Sequence, residues 1–148
     1  PLNKQIEQLI HSYEWKINEK EMMLSYDLPE VNISADETML NMVWDNLISN
    51  AIKYNSEAGN IDITLSEADG WITVKISDTG IGLSEEEKNH IFDRFYRVDS
   101  SRTSSVKGSG LGLSIVHEII QRHDGTVKAA SEIGTGTTFI VELPKNHK

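Results

Sequence analysis

The stretch WDNLISNAIKYN, residues 44–55, decides the fold, because it predicts a helix with two chemically different faces. At about 100° per residue, Asn46, Asn50 and Lys53 share one polar stripe. Amide oxygens suit hard cations and an ammonium suits anionic oxygen, so this stripe can bind a hydrated metal and a phosphate chain. A solvated face explains the same stripe. The opposite side forms a core face of apolar residues: Leu40, Trp44, Leu47, Ile48 and Ala51.

Length and composition limit the possible classes of protein. A chain of 148 residues corresponds to one domain, with a core large enough to fold without disulfides or a structural metal. It has no cysteine, which excludes disulfides, thiolate zinc sites and cysteine catalysis. The formal charge of −9 argues against binding to nucleic acid and against contact with an anionic membrane. The chain starts at Pro1 and has no membrane-length apolar run, so we expect a cytoplasmic domain of a longer protein, with any membrane anchor elsewhere in that parent.

The segment before the central helix predicts one helix and two short strands. The helix covers residues 2–20, and the strands cover residues 22–28 and 31–34. The helix is expected because apolar side chains recur at helical spacing: Ile6, Leu9, Ile10, Tyr13 and Ile17.

A capping box, SADE at residues 34–37, predicts that the central helix begins at Ser34 and runs to about Tyr54. The remaining predicted elements are a hairpin over residues 60–78, a helix over residues 110–123 and a hairpin with strands over residues 126–131 and 137–143. This order has few strand-helix-strand crossovers. It favours a two-layer α/β sandwich with a mixed, mostly antiparallel sheet and three main helices on one face.

The segment between the first hairpin and the last helix is charged and then rich in serine. It is too long and too polar for a simple connection, so we expect a lid over a binding site at approximately residues 84–108. An aromatic island lies inside it: Ile91, Phe92, Phe95 and Tyr96.

The sequence DTGIGL, residues 78–83, follows the second strand of the first hairpin. Asp78 therefore projects from a rigid edge, and Gly80 and Gly82 admit a close ligand. A carboxylate there accepts a hydrogen bond from the amine of adenine and rejects the keto oxygen of guanine. An ordinary turn explains the same sequence.

The sequence GSGLGL, residues 108–113, leads into the last predicted helix. Its backbone N–H groups and the helix dipole favour phosphate oxygens. It lacks the G-x-G-x-x-G spacing and no strand precedes it, which excludes a Rossmann motif. A P-loop is excluded because no Gly-Lys-Ser/Thr sequence is present.

Taken together, five motifs resemble, in order and spacing, the catalytic ATP-binding domain of sensor histidine kinases. They are the Asn box (Asn46, Asn50, Lys53, Tyr54), DTGIGL, IFDRFYRVD, GSGLGL and GTGTTF. The resemblance covers essentially the whole chain and implies one catalytic and ATP-binding domain over residues 1–148, with the Bergerat fold.

The resemblance also implies an activity. ATP and Mg²⁺ are the implied cofactors, and the γ-phosphoryl group goes to a histidine on a dimerisation and phosphoacceptor domain outside this chain. A response regulator receiver domain then takes the phosphate. The isolated domain is expected to lack autophosphorylation.

Particular residues receive roles from the resemblance. Asn50, with Asn46, holds Mg²⁺ on the triphosphate, while Lys53 contacts phosphate and Tyr54 contacts the base. Asp78 reads adenine, together with Thr137. The further pocket residues are Gly80, Gly82, Leu83, Gly108, Gly110, Leu111, Gly112 and Leu113.

Two arginines match lid residues that approach the phosphates. Arg97 and Arg102 can stabilise charge on the transferred group, and with Asn46 and Lys53 they make up the implied catalytic set. Phe92 and Phe95 are expected to dock the lid.

Position 46 distinguishes relatives of the same fold. Gyrase, mismatch-repair and heat-shock ATPases place a glutamate four residues before the metal-binding Asn, whereas this chain has Asn46. Without a general base there, slow hydrolysis and transfer to a protein acceptor are expected. A hydrolysing ATPase switch and a non-enzymatic nucleotide-sensing module remain as alternatives. The sequence HEIIQR, residues 117–122, shares only its first two residues with a phosphoacceptor motif. The histidines are therefore interpreted as ordinary helical or terminal residues.

Overall fold

The computed structural model of the chain describes residues 1–53, 55, 59–80, 82, 92, 112–132 and 135–145. The described helices are α1 (Leu2–Ser12), α2 (Glu14–Glu19), α3 (Glu37–Lys53) and α4 (Gly112–Arg122). The described strands are β1 (Met23–Asp27), β2 (Asn60–Ala68), β3 (Trp71–Asp78), β4 (Thr126–Glu132) and β5 (Gly136–Pro144). No helix among these residues is long and apolar enough to cross a membrane.

The five strands form one mixed sheet in the order β1-β2-β3-β5-β4. The pair β1 and β2 is parallel, and the other three pairs are antiparallel. The first hairpin closes through Asp69 and Gly70, whose φ angles of 53° and 80° match the two-residue turn expected there. The predicted mixed, mostly antiparallel sheet is confirmed.

The helices cover one face of the sheet and leave the other exposed. Alternate residues on β2, β3 and β5 are buried, and α3 buries seven of its own side chains between the sheet and the neighbouring helices. Helix α4 packs beside α3 and on β4, and α1 packs on α3. The inward residues of the sheet are Ile61, Ile63, Leu65, Ile72, Val74, Ile76, Phe139, Val141 and Leu143. The two-layer α/β sandwich with three main helices on one face is confirmed.

The single helix predicted over residues 2–20 is interrupted at Tyr13, which separates α1 from α2. The Tyr13 hydroxyl donates a 2.5 Å hydrogen bond to Asp45 on α3, and Ile17 of α2 is buried beyond the break. Burial, reinforced by the Asp45 carboxylate, raises the pKa of Tyr13 to about 12. The break is therefore accompanied by a tertiary hydrogen bond from Tyr13 and by burial of Ile17.

The predicted start of the central helix at Ser34 is wrong. Helix α3 begins at Glu37, because the Asp36 carboxylate accepts the Met39 N–H at 2.9 Å and caps the helix. The Asp36 N–H donates to His123 Nε2 at 3.2 Å, so an imidazole takes the place that Glu37 has in a capping box.

The strand predicted over residues 31–34 is also wrong, whereas the preceding strand is present as β1. Residues 31–33 run as irregular chain and Ser34 forms only an isolated bridge, and this stretch lies between α1 and the end of β5. The Val31 carbonyl accepts the Leu2 N–H at 2.8 Å, and the Ser34 N–H donates to the Lys145 carbonyl at 3.0 Å. This stretch is held by isolated backbone hydrogen bonds to α1 and to the end of β5, and not by the regular hydrogen bonds of paired strands.

Candidate nucleotide site

The Asp78 carboxylate lies at the end of β3 and is held by two backbone donors. Its Oδ1 accepts the Gly80 N–H at 2.9 Å and the Thr137 N–H at 3.3 Å. Burial raises the pKa of Asp78 from its ordinary 3.8 to about 6, although both hydrogen bonds favour the carboxylate and oppose this rise. A half-buried carboxylate with one fixed oxygen is suited to reading a hydrogen-bond donor on a ligand.

Thr137 lies beside Asp78, its register partner on β5, and it is 7% exposed. The Ser131 hydroxyl donates to the Gly136 carbonyl at 2.8 Å and lies 2.8 Å from Thr137 Oγ1. Because the single Ser131 proton goes to Gly136, the Thr137 hydroxyl donates to Ser131 and keeps its own lone pairs as acceptors. Ser131 was not predicted from the sequence, because an alternating strand pattern carries no signal for this contact.

Gly136 explains the close approach of β5 to this edge. A Cβ built on Gly136 would lie 2.0 Å from the Asp78 carbonyl oxygen, and its φ of +132° disfavours any side chain. The second glycine of GTGTTF is therefore required by contact with the strand that carries Asp78.

The polar stripe of Asn46, Asn50 and Lys53, called the amide stripe from here on, lies on α3. Asn46 Nδ2 donates to the Met42 carbonyl at 2.8 Å, so the amide oxygen is the remaining polar atom of this side chain. Asn50 is half-buried and Lys53 is exposed, and neither side chain forms a hydrogen bond or ion pair with other described residues. Amide oxygens fit Mg²⁺, which is commonly completed by water and substrate phosphates. No group of three His, Asp or Glu side chains offers a competing metal site within the described residues.

Other predicted pocket residues are placed only in part. Gly80 and Gly82 are buried, Gly82 has a φ of 71°, and half-buried Leu113 in the first turn of α4 packs against the core. Gly112 is the first residue of α4. The remaining predictions lie outside the described residues: Tyr54, Leu83, Phe95, Arg97, Arg102, Gly108, Gly110 and Leu111.

Phe92 is described, and it contacts the body of the domain. Its ring stacks on His117 of α4 at 5.6 Å between centroids and meets Phe139 of β5 edge-on at 6.3 Å. His123 is buried, with Nδ1 against the Ile119 carbonyl and Nε2 accepting from Asp36. These two histidines therefore pack within the domain, as the sequence analysis expected.

Asn55, the residue that follows the Asn box, also forms hydrogen bonds that were not predicted from the sequence. Its Nδ2 donates to the Asn60 carbonyl at 3.0 Å, and its Oδ1 accepts from the Thr79 hydroxyl at 3.3 Å. Asn60 is five residues from Asn55 and Thr79 is 24 residues away, and the motif pattern carries no signal for either bond.

The α/β sandwich thus places a hydrogen-bonded carboxylate at the end of β3 and the amide stripe on α3. A family model described as "Histidine kinase-, DNA gyrase B-, and HSP90-like ATPase" matches residues 35–147. The chain belongs to this family, and membership implies ATP binding. The match also agrees with the five-motif resemblance.

Individual relatives place the chain within the family. It is 38% identical over 144 residues to the heme sensor protein HssS of Staphylococcus saprophyticus, covering 97% of this chain and 30% of HssS. The nucleotide-free catalytic domain of histidine kinase ThkA matches with a TM-score of 0.84 and 32% identity, over 98% of this chain and 95% of that domain. A complex of ThkA with the response regulator TrrA matches with a TM-score of 0.80 and 30% identity, over 98% of this chain and 40% of ThkA. The chain is thus a catalytic domain of the sensor histidine kinase type, and it spans less than a third of HssS.

Proposed function

We propose that residues 1–148 form one catalytic domain that binds Mg-ATP and presents the γ-phosphoryl group to a histidine on a dimerisation domain of the same protein. The observation that carries this proposal is the Asp78 carboxylate, fixed by Gly80 and Thr137. An acceptor held at this point pairs with the amine of adenine. The hydroxyl of Thr137 adds a second acceptor on the same side.

The amide stripe is proposed to hold the metal and the phosphates. Asn50, with Asn46, would ligate Mg²⁺ through amide oxygen, and Lys53 would contact a phosphate. When bound, Mg²⁺ neutralises charge on the phosphates during transfer. Tyr54 would contact the base, and the glycine-rich pocket residues would line the nucleotide: Gly80, Gly82, Leu83, Gly108, Gly110, Leu111, Gly112, Leu113.

Residues 84–108 are proposed to form a lid that brings Arg97 and Arg102 to the phosphates. The contacts of Phe92 with His117 and Phe139 support docking of this segment, through Phe92, against α4 and β5.

Transfer is favoured over hydrolysis because the position four residues before Asn50, where hydrolysing relatives have a glutamate, carries no acid. Asn46 occupies the position, and its amide nitrogen bonds to its own helix. The neighbouring carboxylate, Asp45, accepts the Tyr13 hydroxyl and is thereby engaged with the break between α1 and α2.

The parent protein would supply the remaining parts. A response regulator is proposed as the final acceptor, supported by the complex of the similar kinase ThkA with TrrA. The domain would work in the cytoplasm, where ATP is available, with a membrane anchor elsewhere in the parent. The similarity to HssS, a sensor protein of which this chain covers 30%, supports a longer parent with further domains.

Histidine phosphorylation in trans tests the proposal. The purified chain is incubated with γ-labelled ATP and Mg²⁺, alone and with a dimerisation domain from the parent protein. We expect acid-labile label only on the added domain. Acid-labile label on the isolated chain would contradict the proposal, as would rapid ATP turnover with no acceptor present.

A further inference from the structure

We propose that Asn55 and Thr79 are positioning residues for adenine recognition. With Asn60 they form a closed set of hydrogen bonds, here called the Asn55 ring, that connects the helix with the amide stripe to the strand end with Asp78. This inference rests on the proposed roles of Asp78 and Asn50, and it adds a physical link between them.

The Asn55 ring is formed from the Thr79 hydroxyl, the Asn55 carboxamide and the backbone N–H and C=O of Asn60. The Asn60 N–H donates to Thr79 Oγ1 at 2.9 Å, and the Thr79 hydroxyl donates to Asn55 Oδ1 at 3.3 Å. Asn55 Nδ2 then donates to the Asn60 carbonyl at 3.0 Å and closes the ring. The Thr79 N–H donates to that same carbonyl at 3.2 Å. Each hydrogen bond in this set has a definite direction, because the backbone N–H groups and Asn55 Nδ2 can only donate, and the Asn60 carbonyl and Asn55 Oδ1 can only accept.

The ring joins three elements at one corner of the sandwich. Asn55 follows α3, which ends at Lys53, while Asn60 is the first residue of β2. Thr79 comes directly after Asp78, the last residue of β3. Asn55 is 8% exposed, whereas Thr79 and Asn60 are exposed, so water competes least for the two bonds that the Asn55 carboxamide makes.

The location of Thr79 gives the ring a role in recognition as well as in stability. Thr79 lies between Asp78 and Gly80, and Gly80 donates to the Asp78 carboxylate. A rotation of the Thr79 backbone would therefore move both the carboxylate and one of its two donors. Selection of adenine depends on the orientation of this carboxylate, whereas the phosphate contacts proposed for Asn50 and Lys53 lie on another element. Loss of the ring should weaken discrimination between bases and spare phosphate contacts.

Two substitutions at position 79 separate the hydroxyl from the side-chain volume. Thr79→Val keeps the shape and removes both ring contacts, and Thr79→Ser keeps the hydroxyl. Thr73→Val makes the same chemical change on β3, at a half-buried position six residues before Thr79. Affinities for Mg-ATP and Mg-GTP are measured by calorimetry on the full chain, and melting temperatures are recorded for each variant.

We expect Thr79→Val to weaken ATP binding by about tenfold, the effect of one lost orienting interaction, and to leave GTP binding nearly unchanged. The ratio of ATP to GTP affinity then falls by the same factor. Thr79→Ser should restore the ratio, and Thr73→Val should not alter it. If Thr79→Val lowers the melting temperature but keeps the ratio, the ring is only structural and the inference is wrong. If the unaltered chain binds neither nucleotide, the proposed function fails, and this inference fails with it.

A measurement on the unaltered chain covers the case in which Thr79→Val does not fold. Coupling between two sites is reciprocal, so adenine binding must stabilise the Asn55 ring if the ring supports adenine binding. We expect ATP to slow hydrogen exchange of the Asn60 backbone N–H, which donates to the Thr79 hydroxyl. Unchanged exchange at saturating ATP would contradict the inference.

Discussion

At the scale of single residues, Asp78 carries a cost in stability that its proposed role requires. Its pKa is about 6 in the folded domain against an ordinary 3.8, so the folded state binds more protons between these two values. Its contribution to stability therefore falls as the pH rises through this window, and above about pH 6 the penalty is about 3 kcal/mol.

Replacing Asp78 with Asn removes this penalty, because the amide oxygen can still accept from Gly80 and Thr137. We expect Asp78→Asn to unfold in urea with a free energy up to about 3 kcal/mol higher than the unaltered domain at pH 7. The difference should shrink as the pH approaches 4, and ATP binding should be lost. A pH-independent difference would show that ionisation of Asp78 is not its cause.

Gly136 gives a second prediction at the residue scale. An Ala there must place its Cβ against the Asp78 carbonyl oxygen, and Gly70, whose added Cβ meets nothing within 4 Å, provides the control. Gly70→Ala should lower the free energy of unfolding by about 1–2 kcal/mol, because the only penalty is the strain of an alanine at positive φ. Gly136→Ala should cost clearly more in urea unfolding, because β5 or the end of β3 has to move. Equal losses at the two positions would contradict the close approach.

At the scale of elements, local patterns predicted where helices and strands lie, but tertiary contacts determined how they begin and break. The Asp69-Gly70 turn and the alternating strands are local, so the first hairpin was predictable. The break at Tyr13 depends on Asp45, and the Asp36 N–H at the start of α3 donates to His123, which is 87 residues away. Such distant partners leave no mark on a local pattern.

The corrected start of α3 is testable, because the two candidate caps are different residues. Asp36→Ala should lower the free energy of unfolding by about 1 kcal/mol, through loss of the bond to the Met39 N–H. Asp36→Asn should recover most of this loss, since Asn is also a good N-cap. Ser34→Ala changes an exposed side chain and should have almost no effect on chemical denaturation. A larger loss at Ser34 than at Asp36 would restore the capping box.

At the scale of the whole molecule, the sandwich brings together groups from distant parts of the sequence. The Asp78 carboxylate is completed by Thr137, 59 residues away, and this contact exists only because β3 pairs with β5. Motif order predicted the fold and the residue types of the site. It could not predict Ser131 or the Asn55 ring, because those bonds depend on sheet register and on the approach of the α3 end to the sheet edge.

The final prediction uses the stability of the whole domain to report metal binding. A ligand that binds only the folded state raises its stability in proportion to the logarithm of ligand concentration over Kd. ATP should therefore raise the melting temperature, and Mg²⁺ should raise it further if Asn50 provides an oxygen ligand for the metal. Asn50→Ala should abolish the added effect of Mg²⁺ and retain part of the ATP effect, because the adenine contacts remain. Asn41→Ala, at an exposed position on the same helix, should behave like the unaltered domain. A Mg²⁺ effect of full size in Asn50→Ala would exclude this side chain as a metal ligand and leave the stripe on α3 as a solvated face.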